Sequence, residues 1–240
     1  EQSTARAVVN YDSFNIGRAA TVNHTGGVLL ARVTGAGASR IEGTLNTSGM
    51  VLVNPNGVAI GSTANINAGS FTASTFNISN DDFMAGRLRF ERNGTQAGVV
   101  NEGTISTEGG GYVALVGATV DNHGRITTQG GDVVMAAGQA ATISVPLSSS
   151  GKVRLELDAS ALNAAVANHA DGVIVTEGGQ VLMRAAALVD ATSGGHRAPA
   201  TVTHMGQIDS TGEQGGRVDI LADHGMVRVG GSVRANSTGH

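Results

Sequence analysis

Apolar residues alternate with polar or small residues in short stretches along most of the chain. Clear examples are the pairs Val113 and Leu115, and Val181 and Met183. A period of two is typical of β-strands that bury one face. Gly-Gly and Asn-x-Gly separate the stretches and indicate turns that require positive φ. The pattern therefore predicts many short strands, each with one buried face.

The middle of the chain repeats itself. The segment VNEGTISTEGGGYVALVGATV, from Val100, aligns with DNHGRITTQGGDVVMAAGQAA, from Asp121, at an offset of 21 residues. The aligned pairs are Asn101–Asn122, Gly103–Gly124, Ile105–Ile126, Gly109–Gly130 and Val113–Val134. The same phrase returns from Val173 and from Gln207, and a looser copy runs from Arg40 to Val53. A repeat of this length without helices predicts a solenoid of strands, because one coil cannot bury its own apolar face but stacked coils can.

The predicted fold class is all-β, a right-handed parallel β-helix built as a single-stranded solenoid. Propeller repeats run to ~40–50 residues, and a β-sandwich would show hairpin turns at irregular spacing, so the 21-residue offset disfavours both. No segment has a sustained 3.6-residue period. Residues 157–170, LDASALNAAVANHA, are the best helix candidate and are interpreted as an insertion.

Both ends of the predicted solenoid need protection against strand addition. The segment RAVVNYDSFNIG, residues 6–17, is predicted to be part of an N-terminal cap within residues 1–30. The last residues, VRANSTGH, resemble the repeat and show no cap. We therefore expect residues 1–240 to be a single β-helix domain at the N-terminus of a longer protein.

Composition supports a narrow apolar interior. The chain has 240 residues with 36 Gly, no Cys, no Trp and 3% aromatic residues, and 40% of its residues are hydrophobic. That hydrophobic content argues against disorder. A net charge of −4 and the lack of a basic run argue against a nucleic-acid partner. The absence of cysteine fits a reducing cytosol and also fits export of an unfolded chain, so it does not decide the compartment.

Three segments follow one another along the chain: RAVVNYDSFNIG (6–17), RVTGAGASRIEGTLNTSGMVLVNPNGVAIG (32–61) and FTASTFNISNDDFMAGRLRF (71–90). Together they resemble the secretion domain of two-partner secretion exoproteins. These exoproteins are the filamentous-haemagglutinin-like and high-molecular-weight adhesins of Gram-negative bacteria. The resemblance is closest to the high-molecular-weight adhesin branch and covers residues 6–145 well. The chain lacks the separate Asn-Pro-Asn-Leu motif of part of the family, so the branch assignment depends on the other segments.

The resemblance implies a function in export. The domain would be recognised in the periplasm by the periplasmic modules of an outer-membrane β-barrel transporter, which would thread the exoprotein outward. Folding at the cell surface, without nucleotide hydrolysis, would favour outward movement. The protein would then be secreted or held at the surface of a Gram-negative bacterium, where the full-length protein would contact host-cell or matrix glycans. No cofactor is implied.

Asn54, Pro55, Asn56 and Gly57 match the family's motif for efficient secretion. The residues themselves predict a tight turn. Pro55 suits the second position of a β-turn, and Asn56 and Gly57 tolerate positive φ. The Asn54 side chain can close an Asx turn by bonding the backbone two residues on. We predict that this turn is first a folding corner that sets the register of its flanking strands, and second a contact for the partner.

The segment SNDDFMAGRLRF departs from the strand pattern. Asp81 and Asp82 interrupt it, and Phe83 and Met84 are bulky for this chain. In the family this region forms an extra-helical loop or hairpin that packs on the coil surface. We predict such packing here, and a contact loop for the transporter formed by Asn80, Asp81, Asp82, Phe83 and Met84.

The sequence gives little support for catalysis or metal binding. A polysaccharide-cleaving site needs carboxylates clustered on one face with Arg or Lys. The acids are scattered, and the 21-residue register places Gln129, Val100 and Gly111 beside Glu108, Asp121 and Asp132. The other acids considered are Glu42, Glu102, Glu156, Asp158 and Asp219. We therefore predict that the protein is not an enzyme.

The histidines and the glycosylation sequons carry weak signals. The seven histidines, at positions 24, 123, 169, 196, 204, 224 and 240, show no metal-ligand spacing, and His123 is predicted to be an exposed turn residue. No metal site is therefore predicted. Five Asn-x-Ser/Thr sequons begin at Asn23, Asn46, Asn77, Asn93 and Asn236, and they are candidates for glycosylation.

Three functions of different classes follow. The leading one is a secretion-targeting and fold-nucleating domain of a large exported adhesin, whose export would fail without the barrel partner. The alternative is a module that itself binds glycan or a receptor, which would show affinity in this fragment alone. The least supported is a polysaccharide-cleaving enzyme, which would require carboxylates clustered along one face of the coils.

Overall fold

The computed structural model describes residues 2–145, 152–161, 163–188 and 200–239. These residues form strands throughout, with one short helix. The elements are β1 (Arg6–Tyr11), β2 (Thr21–His24), β3 (Val28–Val33), β4 (Ser39–Ile41), β5 (Thr44–Thr47), β6 (Met50–Val53), β7 (Val58–Ile60), β8 (Asn65–Ala68), β9 (Phe71–Ser74), α1 (Asn80–Met84), β10 (Leu88–Glu91), β11 (Val99–Asn101), β12 (Thr104–Thr107), β13 (Val113–Gly117), β14 (Thr119–Asn122), β15 (Arg125–Thr128), β16 (Val133–Ala137), β17 (Ala140–Ser144), β18 (Arg154–Asp158), β19 (Ala165–Asn168), β20 (Val173–Thr176), β21 (Gln180–Ala186), β22 (Ala200–His204), β23 (Gln207–Asp209), β24 (Arg217–Asp223), β25 (Gly225–Val229) and β26 (Ser232–Arg234).

Three long parallel sheets form the walls of the molecule. Sheet A has the order β1-β3-β6-β9-β13-β16-β21-β24, sheet B the order β4-β7-β11-β14-β19-β22-β25, and sheet C the order β2-β5-β8-β12-β15-β20-β23-β26. Successive strands, such as β6, β7 and β8, pass from sheet A to B to C, and each pairs in parallel with the equivalent strand of the next coil. We call each such coil a rung. The predicted all-β parallel β-helix is confirmed.

Inward side chains stack in columns between the sheets. In sheet C, Leu45, Ile66, Ile105, Ile126 and Ile174 lie opposite one another from rung to rung, and each is fully buried. Burial of an aliphatic side chain contributes roughly 1.5–3 kcal/mol relative to its exposure. Because one rung covers the inward face of the next, this stacking is the main source of stability.

Between the two aligned repeats, the 21-residue register is correct in sheets B and C and wrong in sheet A. Val100 pairs with Asp121, and Ile105 pairs with Ile126. In sheet A, however, Val113 pairs with Val133, not with the predicted Val134. The turn before Val113 is one residue longer than the turn before Val133, so the offset falls by one. The shift matters because a slip of one residue exchanges the two faces of a strand.

A column of glycines accompanies this turn. An added Cβ at Gly111 would lie 1.7 Å from the carbonyl oxygen of Gly69, and one at Gly131 would lie 1.8 Å from that of Gly111. No side chain fits at these distances, so the close stacking of the turns between sheets C and A requires glycine. This explains why Gly-Gly recurs in the repeat.

The middle strands of sheet A, β6, β9, β13 and β16, are buried on both faces, whereas the alternation predicted burial of one face. Their outward residues, including Val51, Ala114, Val116 and Val134, pack against a second layer. That layer is α1 with a three-stranded antiparallel sheet, β10-β17-β18, which we call the extra-helical sheet. Its apolar contributions are Phe76, Ile78, Phe83, Leu88, Phe90, Ala141, Ile143 and Val153. The predicted extra-helical hairpin on the coil surface is therefore confirmed.

The helix predicted for residues 157–170 is wrong. The described part of this segment contains the end of β18 and the whole of β19, while Leu162 lies outside the described residues. In β19, Val166 pairs with Val120 on one side and Val202 on the other, and it points into the core. Stacking on both neighbours outweighs the helix preference of the alanines, which is a weak local term.

The predicted N-terminal cap lies at the ends of two sheets. β1 and β2 are the outermost strands of sheets A and C. Phe14 is buried against the core and meets Tyr11 edge-to-face at 5.5 Å between ring centroids. The assignment of residues 1–30 as a cap stays a prediction, and Glu1 lies outside the described residues.

A ladder of buried amides runs along the corner between sheets B and C. Asn101 Nδ2 donates to Asn122 Oδ1 at 2.8 Å, and Asn122 Nδ2 donates to Asn168 Oδ1 at 2.7 Å. Asn168 Nδ2 lies 3.1 Å from Nδ1 of His204, whose Nε2 lies 3.1 Å from the carbonyl oxygen of Ser232. Because that carbonyl only accepts, Nε2 of His204 carries the proton and Nδ1 accepts from Asn168. The ladder fixes the turn geometry of four successive rungs.

We expect Asn122→Ala to lower the free energy of unfolding by about 2–3 kcal/mol, because it leaves Asn101 and Asn168 with buried, unsatisfied amide groups. Asn67→Ala is the matched control: Asn67 bonds Asn46 at 2.9 Å in a similar ladder, but on the exposed face of sheet C. Asn67→Ala should lower the free energy of unfolding by no more than about 0.5 kcal/mol. Urea unfolding of the two variants measures both values, and equal effects would contradict the assigned importance of the buried ladder.

Asp132 ties the solenoid to the extra-helical sheet. Its carboxylate is buried and accepts the backbone N–H of Val153 at 2.6 Å and that of Gln180 at 2.7 Å. We expect Asp132→Ala to lower the free energy of unfolding by about 3 kcal/mol, because two buried N–H groups lose their acceptor. Asp171→Ala, at an exposed carboxylate, should change it little. The prediction would be wrong if thermal unfolding gave the Asp132→Ala and Asp171→Ala variants the same melting temperature.

Candidate functional site

The Asn54–Gly57 turn joins β6 of sheet A to β7 of sheet B. The Gly57 N–H donates to the Asn54 carbonyl oxygen at 3.0 Å, which closes a β-turn. The Asn56 N–H donates to Asn54 Oδ1 at 2.9 Å, so the predicted Asx turn is present. Gly57 has a φ of 119°, whereas Asn56 does not adopt positive φ. The turn therefore requires glycine at position 57 alone.

The four residues divide into an inner and an outer pair. Asn54 and Gly57 are buried, while Pro55 and Asn56 are exposed. Asn54 Nδ2 donates to the Gly37 carbonyl oxygen at 2.9 Å and lies 3.0 Å from Ser39 Oγ. The Asn54 amide thus links the turn to the preceding rung. These contacts support the predicted role as a folding corner.

The outer pair is also held by neighbouring loops. Asn56 Nδ2 donates to the Gly35 carbonyl oxygen at 2.8 Å. From the next rung, Thr95 Oγ1 donates to the Pro55 carbonyl oxygen at 2.6 Å, and the Gly98 carbonyl oxygen accepts the N–H of Val58 at 3.2 Å. Thr95 belongs to the segment between β10 and β11, which lies outside the repeat, so the sequence pattern gave no signal for this contact.

The predicted contact loop forms α1. Ser79 caps the helix: its Oγ accepts the Asp82 N–H at 3.0 Å and donates to Asp82 Oδ2 at 2.9 Å. Arg87 Nε donates to Asp82 Oδ1 at 2.7 Å. The hydrogen bond from Arg87, and then that from Ser79, lowers the pKa of the Asp82 carboxyl. The N-terminus of the short helix is therefore capped by Ser79, and its C-terminus is closed by backbone N–H groups, among them that of Ala85 to the Asp81 carbonyl oxygen at 3.0 Å.

The five predicted contact residues do not share one surface. Phe83 is fully buried under the helix, with the Arg6 guanidinium 5.4 Å from its ring centroid. Met84 is 53% exposed, and Asn80 and Asp81 are exposed as well. Phe83 thus fixes the helix on the coil and leaves the other side chains outside.

Arg32 of β3 holds the chain where it enters α1, a role that sequence reasoning missed. Its Nη2 donates to the Ile78 carbonyl oxygen at 2.6 Å, its Nη1 to Asn80 Oδ1 at 2.8 Å, and its Nε to Asn77 Oδ1 at 3.2 Å. Burial lowers the pKa of this guanidinium. The side-chain oxygen of Asn77, one of the five sequon asparagines, is therefore hydrogen-bonded to Arg32. Within the described ranges, no hydrogen bond connects α1 to the Asn54–Gly57 turn.

The acids are less scattered than the repeat register predicts. A groove of about 740 Å³ lies between β18 and the outer faces of β21 and β24, and both Glu156 and Asp219 line it. Four basic residues also line the groove: Lys152, Arg154, Arg184 and Arg217. The register missed this cluster because β18 belongs to the extra-helical sheet. Asp219 already accepts from Arg217 at 2.8 Å and from Gln180 at 3.1 Å.

In the part of the chain that the structure describes, no group of three or more His, Asp or Glu side chains is placed to hold a metal ion. His123 and His169 stack with ring centroids 3.8 Å apart. His123 pairs with Asp171 at 3.1 Å, and His169 pairs with Asp121 at 2.9 Å. All four side chains are partly or largely exposed. Over the same described ranges, none of the helical structure is long and apolar enough to cross a membrane.

Comparison with known proteins gives one clear relationship. The family model described as TPS secretion domain, where TPS stands for two-partner secretion, matches residues 1–220. Among solved structures, the HMW1 secretion domain from Haemophilus influenzae superposes with a TM-score of 0.71 at 24% identity, covering 96% of this chain and 77% of that chain. The filamentous hemagglutinin secretion domain gives 0.41 at 18% identity, covering 96% and 89%. No curated protein sequence matches the chain.

The match to the family model extends over far more than half of the chain, and the HMW1 secretion domain shares the fold of sheets A, B and C. The resemblance inferred from the three sequence segments is thereby confirmed. The chain belongs to the TPS secretion domain family.

Proposed function

We propose that this domain is recognised by an outer-membrane β-barrel transporter and that it nucleates the folding of a larger adhesin-type exoprotein. The observation that carries the proposal is the Asn54–Gly57 turn, a buried Asx turn with an exposed tip, within a domain of the TPS family. The inner pair would organise the fold, and the outer pair would be available to a partner. Recognition would take place in the periplasm of a Gram-negative bacterium, through the transporter's periplasmic modules.

Fold nucleation is supported by the local nature of the turn's contacts. Asn54 Oδ1 binds the backbone two residues on, and its Nδ2 bonds groups 15 and 17 residues away. Contacts that are close in sequence form early, because they close short loops. The turn would therefore set the register of β6 and β7 before distant rungs add. Each later rung would then stack on a preformed one.

The surface of α1 supports a second contact with the transporter. Asn80, Asp81 and Met84 are exposed on a helix fixed by the buried Phe83 and by Arg32. A preorganised surface loses less conformational entropy on binding than a flexible one. The adhesive activity of the exoprotein, including contact with host or matrix glycans, would belong to the full-length protein.

Dependence of export on the transporter tests the proposal directly. We expect the exoprotein to appear in the culture medium when its cognate β-barrel transporter is co-expressed and to stay in the cell when the transporter is absent. Immunoblotting of medium and periplasm measures the distribution. Equal amounts in the medium under both conditions would contradict the proposal, and affinity of the isolated domain for glycans would favour the alternative of a direct binding module.

Substitutions in the turn separate its two roles. We expect Asn54→Ala to lower the free energy of unfolding by about 2–4 kcal/mol, because it removes several hydrogen bonds of a buried amide. Asn56→Ala should lower the free energy of unfolding by about 0.5–1 kcal/mol, because it removes the hydrogen bond to the Gly35 carbonyl oxygen at an exposed site. Both variants should lower the secreted yield, whereas Ser62→Ala, in the exposed turn after β7, should not. Unchanged stability with lost secretion in Asn56→Ala would instead assign the turn to direct recognition.

A charged residue on α1 tests the second contact. We expect Met84→Glu to leave thermal unfolding nearly unchanged, because Met84 is 53% exposed, and to lower the secreted yield by weakening an apolar contact with the transporter. The matched control is Met205→Glu, since Met205 is 41% exposed and lies between β22 and β23. Normal secretion of Met84→Glu would remove α1 from the proposed interface.

A further inference from the structure

Arg92, which follows β10, is a buried cation without a carboxylate partner. Its side chain is only 5% exposed, and the ion pairs found among the described residues do not include it. Burial lowers the pKa of the guanidinium. Burying a charge is costly unless hydrogen bonds compensate. The arrangement of its acceptors therefore indicates what this arginine does.

The guanidinium binds four neutral acceptors on three residues. Nε donates to the Thr95 carbonyl oxygen at 2.5 Å, and Nη2 donates to Gln96 Oε1 at 2.5 Å. Nη1 donates to the Asn163 carbonyl oxygen at 3.0 Å, and Nη2 also donates to Asn163 Oδ1 at 2.9 Å. Arg92 thus clamps its own loop, residues 92–97, to a residue 71 positions further along the chain.

This clamp reaches the Asn54–Gly57 turn in one further step. Thr95, whose carbonyl binds Arg92, donates its hydroxyl to the Pro55 carbonyl oxygen at 2.6 Å. The backbone of Arg92 is itself fixed by two bonds with Gln139, at 2.9 and 3.0 Å. Gln139 and Asn163 precede β17 and follow β18, so the clamp is complete only when the extra-helical sheet has formed.

The turn is therefore held from two sides that differ in sequence separation. Asn54 and Asn56 bond Gly35, Gly37 and Ser39, which are 15 to 21 residues away. The bond from Thr95 spans 40 residues, and the clamp behind it spans 71. The first side needs only the preceding rung, whereas the second needs chain as far as Asn163.

We propose that Arg92 is the positioning residue that holds the outer side of the Asn54–Gly57 turn, and that this hold closes only after residues 139 and 163 have folded against it. Before closure, the Pro55 carbonyl oxygen is free to accept a hydrogen bond from a partner; after closure, Thr95 occupies it. The same turn would thus be available to the transporter in a partly folded chain and be withdrawn in the finished domain. This inference rests on the proposed role of the turn in export.

Hydrogen exchange of the Asn56 and Gly57 amides in the intact domain tests the positioning, because both amides bond within the turn. We expect Arg92→Ala to speed their exchange by about tenfold or more, the factor that corresponds to loss of about one hydrogen bond. Arg92→Lys should behave like Arg92→Ala, since an ammonium cannot bind three residues in the fork geometry of a guanidinium. The matched control is Arg89→Ala, in β10 three residues before Arg92 but exposed and paired with Glu91, and it should leave the exchange of these amides unchanged.

Thr95→Val keeps the test decisive if Arg92→Ala fails to fold. It removes the hydroxyl that reaches Pro55 while leaving the Thr95 carbonyl for Arg92, and we expect the same direction of change. The inference would be overturned if the Asn56 and Gly57 amides exchanged at the wild-type rate in Thr95→Val, and also in Arg92→Ala if that variant folds. This holds whether or not the variants are secreted normally. Faster exchange combined with unaltered export of Thr95→Val and lost export of Asn54→Ala is the expected pattern. Faster exchange with normal export of Asn54→Ala would leave the positioning intact and remove the turn from export.

Discussion

The stacking of inward aliphatic side chains from rung to rung is the interaction on which the rest of the structure depends. Ile66, Ile105 and Ile126 lie in register on successive strands and are fully buried. A rung cannot bury its apolar face alone, so stability is shared between neighbours. Any excursion of the chain must therefore return in register. The extra-helical segments obey this rule. After the first one, β11 rejoins sheet B beside β7, and after the second, β19 rejoins it beside β14.

The second constraint is the outward face of sheet A. Its apolar residues, such as Val51 and Val134, need a cover, and α1 with the extra-helical sheet supplies it. Part of that cover comes from a segment far away in sequence, since β10 lies next to β17, whereas β17 and β18 are close in the chain. As a result, the outer faces of β6 and β9 are fully covered only after chain beyond β13 and β16 has added β17 and β18.

Whether the sequence predicts a contact depends on whether the two residues lie within the repeat or in distant segments outside it. The parallel solenoid and the pairing of Ile105 with Ile126 follow from the repeat, and the Asx turn follows from four adjacent residues. The pairing of Val113 was mispredicted because one extra turn residue is invisible to a fixed offset. Arg32 and Arg92 gave no signal, since the partners of Arg32 beside α1 lie 45 to 48 residues away and the Asn163 partner of Arg92 lies 71 residues away, all outside the repeat. The groove between β18 and β24 was missed for the same reason.

The structural role of the Asn54–Gly57 turn and its proposed role in partner contact would fall on different atoms. The Asn54 amide bonds the preceding rung and the turn's own backbone. The Pro55 carbonyl faces outward and is bonded by Thr95, whose position depends on Arg92. Because the Asn54 amide bonds only the preceding rung and Asn56, the corner would form while the Pro55 carbonyl is still unoccupied. A single four-residue turn would then satisfy both the structural and the proposed partner role by separating them along the chain.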